Sequence, residues 1–429
     1  MHDWLDLAAR IRPDHPAVES ASGTLGYAEL DALATLTARR LAAQGVGEGD
    51  RVATTLAPGP GFAALLHALP RLGAALVPLN TRLPAAAQRR QRDLAGAMMV
   101  VDQPLTDGFE TDADLRTDLE PSAVHTVLFT SGTSGEPKPV ELTVGNQDAS
   151  AAGSQAVFGY GAGDRWLCPL PVFHIGGLAI LVRCARAGAT AVLADRVDPA
   201  AMEGITLASV VAIQLRRLRD AGLTAVPGLR AFVLGGGPVP TELMDWARGH
   251  DLPVRATYGM TETCSQVAVT APWERTAAPV PGAELVLGPE NEILVRGPMV
   301  APGATGEGGW LHTGDVGRIC RDGTLSVEGR IKDLIVTGGE NVAPAAVEAA
   351  LTAHPAVADA AVAGVPDPEW GEAVTAYVVE HRPVSDYELL GFCRERLAGY
   401  QVPKAVVRVA ELPRNAAGKL QRDLLGRAS

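Results

Sequence analysis

Thr190-Ala191-Val192-Leu193, Ala208-Ser209-Val210-Val211-Ala212-Ile213, Leu229-Arg230-Ala231-Phe232-Val233-Leu234 and Pro253-Val254-Arg255-Ala256-Thr257 recur through the stretch from Gly188 to Gly259. Each is a short run rich in β-branched or aliphatic residues, the composition of a strand covered on both faces. Each spacer between them suits a helix. Strands alternating with helices imply parallel pairing through crossovers, hence an α/β fold. Two of the runs lead straight into unusual sequence, Gly235-Gly236-Gly237-Pro238 and Tyr258-Gly259-Met260-Thr261-Glu262-Thr263. Open α/β sheets bind ligands just beyond the carboxyl ends of their strands, so a candidate site lies there.

Past about Gly329 the pattern changes. A helix from Pro344 to Ala353 is followed by strands from Val357 to Val365 and from Ala373 to Val379. A second helix then enters through the capping box Ser385-Asp386-Tyr387-Glu388, and a last strand runs from Ala405 to Val409 before an Arg- and Lys-rich tail. The expectation is a large N-terminal multi-sheet α/β domain, residues 1–331, and a small C-terminal α+β domain, residues 332–429, on a hinge at Lys332.

With 37 Lys and Arg against 49 Asp and Glu, the net charge of −12 argues against nucleic acid or an anionic membrane surface as partner. An anionic ligand must then be met by local donors. The uncharged runs from Val52 to Pro70 and from Trp166 to Val182 are broken by Pro and Gly and each contains a His, so no membrane span is expected. Five scattered cysteines without C-x-x-C spacing suggest neither a disulfide framework nor a zinc site. The N-terminus lacks the basic and apolar regions of a signal peptide, and a cytoplasmic location is the simplest reading.

The loudest local signal is Phe129-Thr130-Ser131-Gly132-Thr133-Ser134-Gly135-Glu136-Pro137-Lys138, after the apolar strand from Val124 to Leu128. Hydroxyls, glycine N–H groups and a terminal Lys can close around phosphate oxygens. The spacing of Gly132, Gly135 and Lys138 is not that of the P-loop. Alone, the run reads equally well as a Gly/Ser surface loop.

In order and spacing this loop resembles the phosphate loop of the acyl-adenylate-forming superfamily, which includes acyl-CoA synthetases, peptide-synthetase adenylation domains and luciferases. Tyr258-Gly259-Met260-Thr261-Glu262 is similar to its adenine and magnesium segment, and Trp310-Leu311-His312-Thr313-Gly314-Asp315 to its ribose segment. Gly329-Arg330-Ile331-Lys332-Asp333 resembles the hinge, and Gly338-Gly339-Glu340-Asn341 the thioester-forming loop. Pro413-Arg414-Asn415-Ala416-Ala417-Gly418-Lys419 resembles the loop with the catalytic Lys. Weaker echoes at Leu25-Gly26-Tyr27-Ala28-Glu29-Leu30 and from Gly73 to Asn80 extend the likeness over almost the whole chain.

The resemblance implies an enzyme that uses ATP, Mg²⁺ and coenzyme A. Residues Thr130 to Lys138 would hold the β and γ phosphates, Thr261 an α-phosphate oxygen, and Glu262 the metal. Lys419 would be the cation where carboxylate, ribose and α-phosphate meet. Asp315 and Arg330 would take the ribose hydroxyls, and Tyr258 offers a ring for adenine. By themselves Glu262 and Asp315 would read as solvated acids and Lys419 as a surface lysine. Gly235, Gly236 and Gly237 read as a tight strand-to-helix turn that also lets backbone lie flat against adenine or the acyl group. His174 stands where amino-acid-activating relatives carry an Asp after the Phe. It resembles the aromatic gate between acid pocket and thiol tunnel in acyl- and aryl-CoA ligases, which favours an acid without an α-ammonium group.

The chain departs from the family between Gly282 and Trp310, where Pro302-Gly303-Ala304-Thr305-Gly306 replaces a longer segment, and at Lys332, where many relatives have Asp. Val140-Glu141-Leu142-Thr143, Trp166-Leu167-Cys168-Pro169-Leu170-Pro171 and Phe173-His174-Ile175-Gly176-Gly177-Leu178 look most like the ligases that act on o-succinylbenzoate in menaquinone synthesis. Arg217 is then a candidate partner for that acid's second carboxylate, against its plain reading as a solvated helix residue. A general aryl- or medium-chain acyl-CoA synthetase, a non-catalytic binding module and a phosphate-releasing NTPase stay open. So does the choice between monomer and homodimer.

Overall fold

A computed structural model of the chain describes residues 1–131, 137–237, 239–414 and 420–425. It forms two compact units. The first comprises Met1–Gly235, His250–Leu285 and Val295–Leu311, and the second Gly236–Gly249, Val286–Leu294 and His312–Ser429.

In the first unit the strands read from sequence line up as parallel neighbours. Ala231–Leu234 pairs with Val254–Met260 on one side and Leu207–Val210 on the other. The row continues through Arg165–Cys168 and Thr190–Leu193 to Pro16–Ser20. Antiparallel strands extend it, Ser265–Thr270 and Ala277–Pro279 at one end and Gly23–Gly26 at the other. A second sheet orders Met99–Val101, Arg51–Thr54, Ala75–Pro78, Val124–Ser131 and Pro137–Thr143. The α/β expectation therefore holds.

The apolar runs that could suggest a membrane are each a strand followed by a buried helix. They are Arg51–Thr54 with Pro60–Leu72, and Arg165–Cys168 with Ile175–Ala187. Among the described residues no helix is long and apolar enough to cross a membrane.

Among the expected limits that shift, three have a local reason. Ala212 and Ile213 belong to the helix Ala212–Asp220, not to the strand before it. The Gln214 side chain accepts from Val211 N–H at 3.0 Å and starts the helix, leaving Ile213 on its exposed side. Strand Val254–Met260 runs on through Tyr258 and Gly259. Strand Val124–Ser131 includes Thr130 and Ser131 and pairs antiparallel with Pro137–Thr143, so both ends of the expected loop lie in strands, with Thr130 opposite Lys138.

The second unit contains the hairpin Leu311–Ile319 with Leu325–Arg330 and a separate sheet ordered Glu340–Val342, Ile335–Thr337, Gly371–Glu380, Val357–Asp367. Ala405–Arg408 lies parallel to Gly371–Glu380. Helices Pro344–Thr352 and Asp386–Arg394 pack Val347, Leu351, Leu389 and Cys393 against Val357, Val362, Val374 and Val378. Of the expected capping box one half is formed: Ser385 Oγ accepts from Glu388 N–H at 3.2 Å.

Candidate active site

The hairpin arms hold Thr130, half-buried, and Lys138, exposed, opposite each other next to the last described pair, Ser131 and Pro137. Gly132, Thr133, Ser134, Gly135 and Glu136 lie outside the described residues. The hairpin is anchored below by fully buried Val127 and nearly buried Leu128, and by Gln147, whose Nε2 donates to Thr126 Oγ1 at 3.1 Å.

Strand Val254–Met260 carries the second group. Thr257 Oγ1 donates to the Leu234 carbonyl at 3.0 Å, and Thr270 Oγ1 accepts from Ala256 N–H at 2.9 Å, fixing the strand between its neighbours. A bulge at Tyr258/Gly259 then turns the chain. Thr261 and Glu262 follow on a single 3₁₀ turn, Thr261–Thr263. Its keystone is Thr263, fully buried, whose Oγ1 accepts from Met260 N–H at 2.9 Å and lies 2.7 Å from the Ser265 carbonyl. Cys264 and Ser265 have φ of 51° and 93°, left-handed for residues other than glycine, so the turn is strained and held by its surroundings. Ser150 Oγ donates to the Cys264 carbonyl at 2.6 Å, and Ala301 N–H to that of Glu262 at 2.8 Å. Sequence reading singled out Thr261 and Glu262 and missed the role of Thr263 beside them.

The Glu262 carboxylate has no hydrogen bond or ion pair among the described residues. Nor do those residues include a cluster of three or more His, Cys, Asp or Glu able to hold a metal. A lone carboxylate suits Mg²⁺, which takes one or two carboxylates and fills its sphere with phosphate oxygens and water. The donor set fits a metal carried in on a nucleotide.

His174 precedes helix Ile175–Ala187. Its ring meets Phe173 edge to face at 4.7 Å, and the Arg82 guanidinium lies 5.8 Å from the Phe173 ring. Burial first, and Arg82 second, push its pKa below the usual histidine value, so the ring is neutral near neutrality. Gly235 follows strand Ala231–Leu234, and a β-carbon there would lie 3.1 Å from Thr257 Oγ1. Arg217 is exposed on helix Ala212–Asp220, whose buried face is Leu215 and Leu218.

The second unit carries the rest. Gly236 has φ 86°, and Gly236 and Gly237 are exposed. Asp315 lies opposite Arg330 across its hairpin, and Arg330 Nε donates to Asp315 Oδ1 at 2.8 Å. Asp315 is buried while Arg330 is part exposed. Lys332 is exposed on the short turn Ile331–Asp333. Gly338 and Gly339, φ 59° and 85°, form the two-residue turn between Thr337 and Glu340, a geometry that left-handed glycines supply without strain. Lys419 lies outside the described residues. The chain on either side is pinned. Arg414 pairs with Leu420 in a bridge and donates to Asp359 Oδ2 at 2.7 Å, while Arg422 forms a forked pair with Glu348.

The first unit thus carries the hairpin hydroxyls and the Glu262 carboxylate, and the second the ion pair of buried Asp315 with part-exposed Arg330. The AMP-binding enzyme family matches residues 5–307, and the AMP-binding enzyme C-terminal domain matches residues 346–419. The chain belongs to the AMP-binding enzyme family. It is 38% identical to 2-succinylbenzoate–CoA ligase of Bacillus licheniformis, with 99% of each chain covered. That alignment runs over 473 positions against 429 residues here, in keeping with the shortening seen in the sequence. Among solved structures it is similar to o-succinylbenzoate CoA synthetase of Bacillus subtilis in complex with the acyl-adenylate intermediate OSB-AMP. That match has a TM-score of 0.91 at 33% identity, covering 99% of this chain and 98% of the other. The same enzyme in complex with ATP and magnesium ion matches with TM-score 0.90 at 34% identity, covering 99% of both chains.

Proposed function

We propose that this protein is an ATP-dependent o-succinylbenzoate–CoA ligase of menaquinone biosynthesis. What carries the reading is the likeness along nearly the whole chain to an enzyme holding OSB-AMP, with the motif residues present in family order.

A carboxylate oxygen of the acid attacks the α-phosphorus of ATP, the bond to the β-phosphate breaks and pyrophosphate leaves. The CoA sulfur then attacks the acyl carbon and AMP leaves. Both reactants of the first step are anions, so charge on the five-coordinate phosphorus and on pyrophosphate must be met by preorganised donors. Thr130, Ser131, the loop to Gly135 and Lys138 take the β and γ phosphates, and Thr261 an α-phosphate oxygen. Glu262 would hold Mg²⁺, which would supply charge neutralisation at the phosphates. Asp315 and Arg330 take the ribose, and Tyr258, Gly236 and Gly237 the adenine. Lys419 bridges carboxylate and α-phosphate. His174, neutral and packed on Phe173, gates the thiol path, with Gly235 beside the acyl group. Residues 332–429 act as the mobile domain, pivoting at Lys332, and bring Gly338, Gly339 and Glu340 to the thioester step. We place the reaction in the cytoplasm, where the five free cysteines stay reduced.

Initial rates of pyrophosphate release over a panel of acids test the reading. o-Succinylbenzoate should give the highest kcat/KM among benzoates, cinnamates, fatty acids and amino acids, with AMP and pyrophosphate as products. If Arg217 holds the unreactive carboxylate, Arg217→Ala should cost about 2 to 4 kcal/mol with that acid and much less with a monocarboxylate. A fatty acid or simple benzoate that outruns o-succinylbenzoate would replace the reading with a general acyl-CoA synthetase. ADP and orthophosphate would reject ligation altogether.

A further inference from the structure

His312-Thr313-Gly314-Asp315 lies on strand Leu311–Ile319, and at Gly314 the backbone turns through a left-handed φ of 67°. Besides the hairpin partner, two residues outside the motif stretches quoted above, Glu292 and Ile293, hold this segment. Glu292 Oε1 accepts from Gly314 N–H at 2.9 Å and Oε2 lies 2.7 Å from His312 Nδ1, so both carboxylate oxygens are used. Thr313 Oγ1 donates to the Ile293 carbonyl at 2.7 Å and accepts from Asp315 N–H at 3.1 Å. The Glu292 side chain is only 13% exposed against 58% for His312, so the carboxylate is the better shielded partner of the pair. Charge-assisted hydrogen bonds of this kind are among the stronger ones available to a protein.

We propose that Glu292 is a positioning residue for nucleotide recognition: by holding Gly314 N–H and His312 from one carboxylate it aims Asp315 at the ribose hydroxyls. The inference rests on the reading of Asp315 as the ribose acceptor. Arg330 fixes one oxygen of Asp315 from across the hairpin, and Glu292 fixes the backbone from which that side chain projects. Without the second anchor the carboxylate keeps its charge and loses its aim. Its discrimination among sugars should fall while the rest of ATP binding survives.

The experiment follows pyrophosphate release with ATP, 2′-deoxy-ATP and 3′-deoxy-ATP as alternative substrates. The wild-type enzyme should prefer ATP by roughly tenfold or more, the worth of a hydrogen bond to a charged group. Asp315→Ala should erase that preference. Glu292→Ala should raise KM for ATP several-fold, bring it close to that of the deoxy analogues, and leave KM for the acid and for CoA unchanged. Glu292→Gln should retain most of the preference, since its amide oxygen can accept from Gly314 N–H and its NH₂ can donate to His312 Nδ1. Glu292→Asp, one methylene short, serves if the alanine variant does not fold, and should lose the preference in part. Equal losses with ATP and both analogues, or none, would overturn the inference. A preference lost in Asp315→Ala but intact in Glu292→Ala overturns it alone. One that survives in Asp315→Ala removes the ribose reading and this inference with it.

Discussion

His67 and His125 lie in the first unit with almost no exposure, one in helix Pro60–Leu72 and the other at the start of strand Val124–Ser131. His125 meets Trp4 edge to face at 5.6 Å, and its Nε2 lies 3.3 Å from the Leu66 carbonyl. Burial lowers the pKa of His67 to about 3, helped by Arg71. It lowers His125 to about 4, helped by His67 and opposed by the Leu66 carbonyl and Asp3. Both values lie below the ~6.5 of an unfolded histidine, so the unfolded chain binds more protons between them. The stability they contribute is complete above about pH 6.5 and is lost as pH falls towards 4, at up to about 1.4 kcal/mol per pH unit for each ring. Urea midpoints should drop steeply between pH 6.5 and 5, and His67→Leu should flatten part of that slope. An unchanged slope would mean the rings are not neutral in the folded state. Sequence shows each histidine within an apolar run and nothing of their pairing, which tertiary packing creates.

At the scale of elements, sequence reading was surest where a run is buried on both faces, as in Thr190–Leu193, and weakest where a functional segment distorts an element. Tyr258-Gly259-Met260 read as unusual sequence following the strand that ends at Thr257, yet it is strand with a bulge in it. Why Gly stands there became visible only with the partner strand: a β-carbon at 259 would lie 1.9 Å from the Ser265 carbonyl oxygen and 2.8 Å from Gln266 Cα. Both are backbone atoms of a strand in the sheet, so the bulge itself must yield. Gly259→Ala should therefore cost about 1 to 3 kcal/mol of stability, as overpacking does. It should also displace Thr261 and Glu262, so adenylation should fall further than the fraction of folded protein. Full activity in the folded variant would show that the turn tolerates the shift. The half-buried Glu292 escaped sequence reading for a related reason: Gly314 N–H and His312, which it holds, are distant in sequence and only the fold brings them near.

Over the whole molecule the order of motifs carried the family, whereas the grouping of residues 236–249 and 286–294 with 312–429 depends on contacts between distant segments and leaves no local trace. The proposed reaction makes two demands on one mobile domain, and two residues should separate them. Lys419 supplies charge where carboxylate meets α-phosphate, so Lys419→Ala should lower acid-dependent pyrophosphate release by roughly two or more orders of magnitude, equivalent to ~3 kcal/mol or more. It should still convert supplied acyl-adenylate to thioester, since that step has no phosphate to activate. Lys332 is the converse. It is exposed on its turn, so replacing its side chain removes no packing, and a proline there fixes φ near −65° and restricts rotation. Lys332→Pro should keep acid-dependent pyrophosphate release and lose thioester formation, measured as the yield of acyl-CoA per pyrophosphate. If both half-reactions fall together in Lys419→Ala, the two-conformation account fails. If Lys332→Pro leaves that yield unchanged, the pivot lies at another residue.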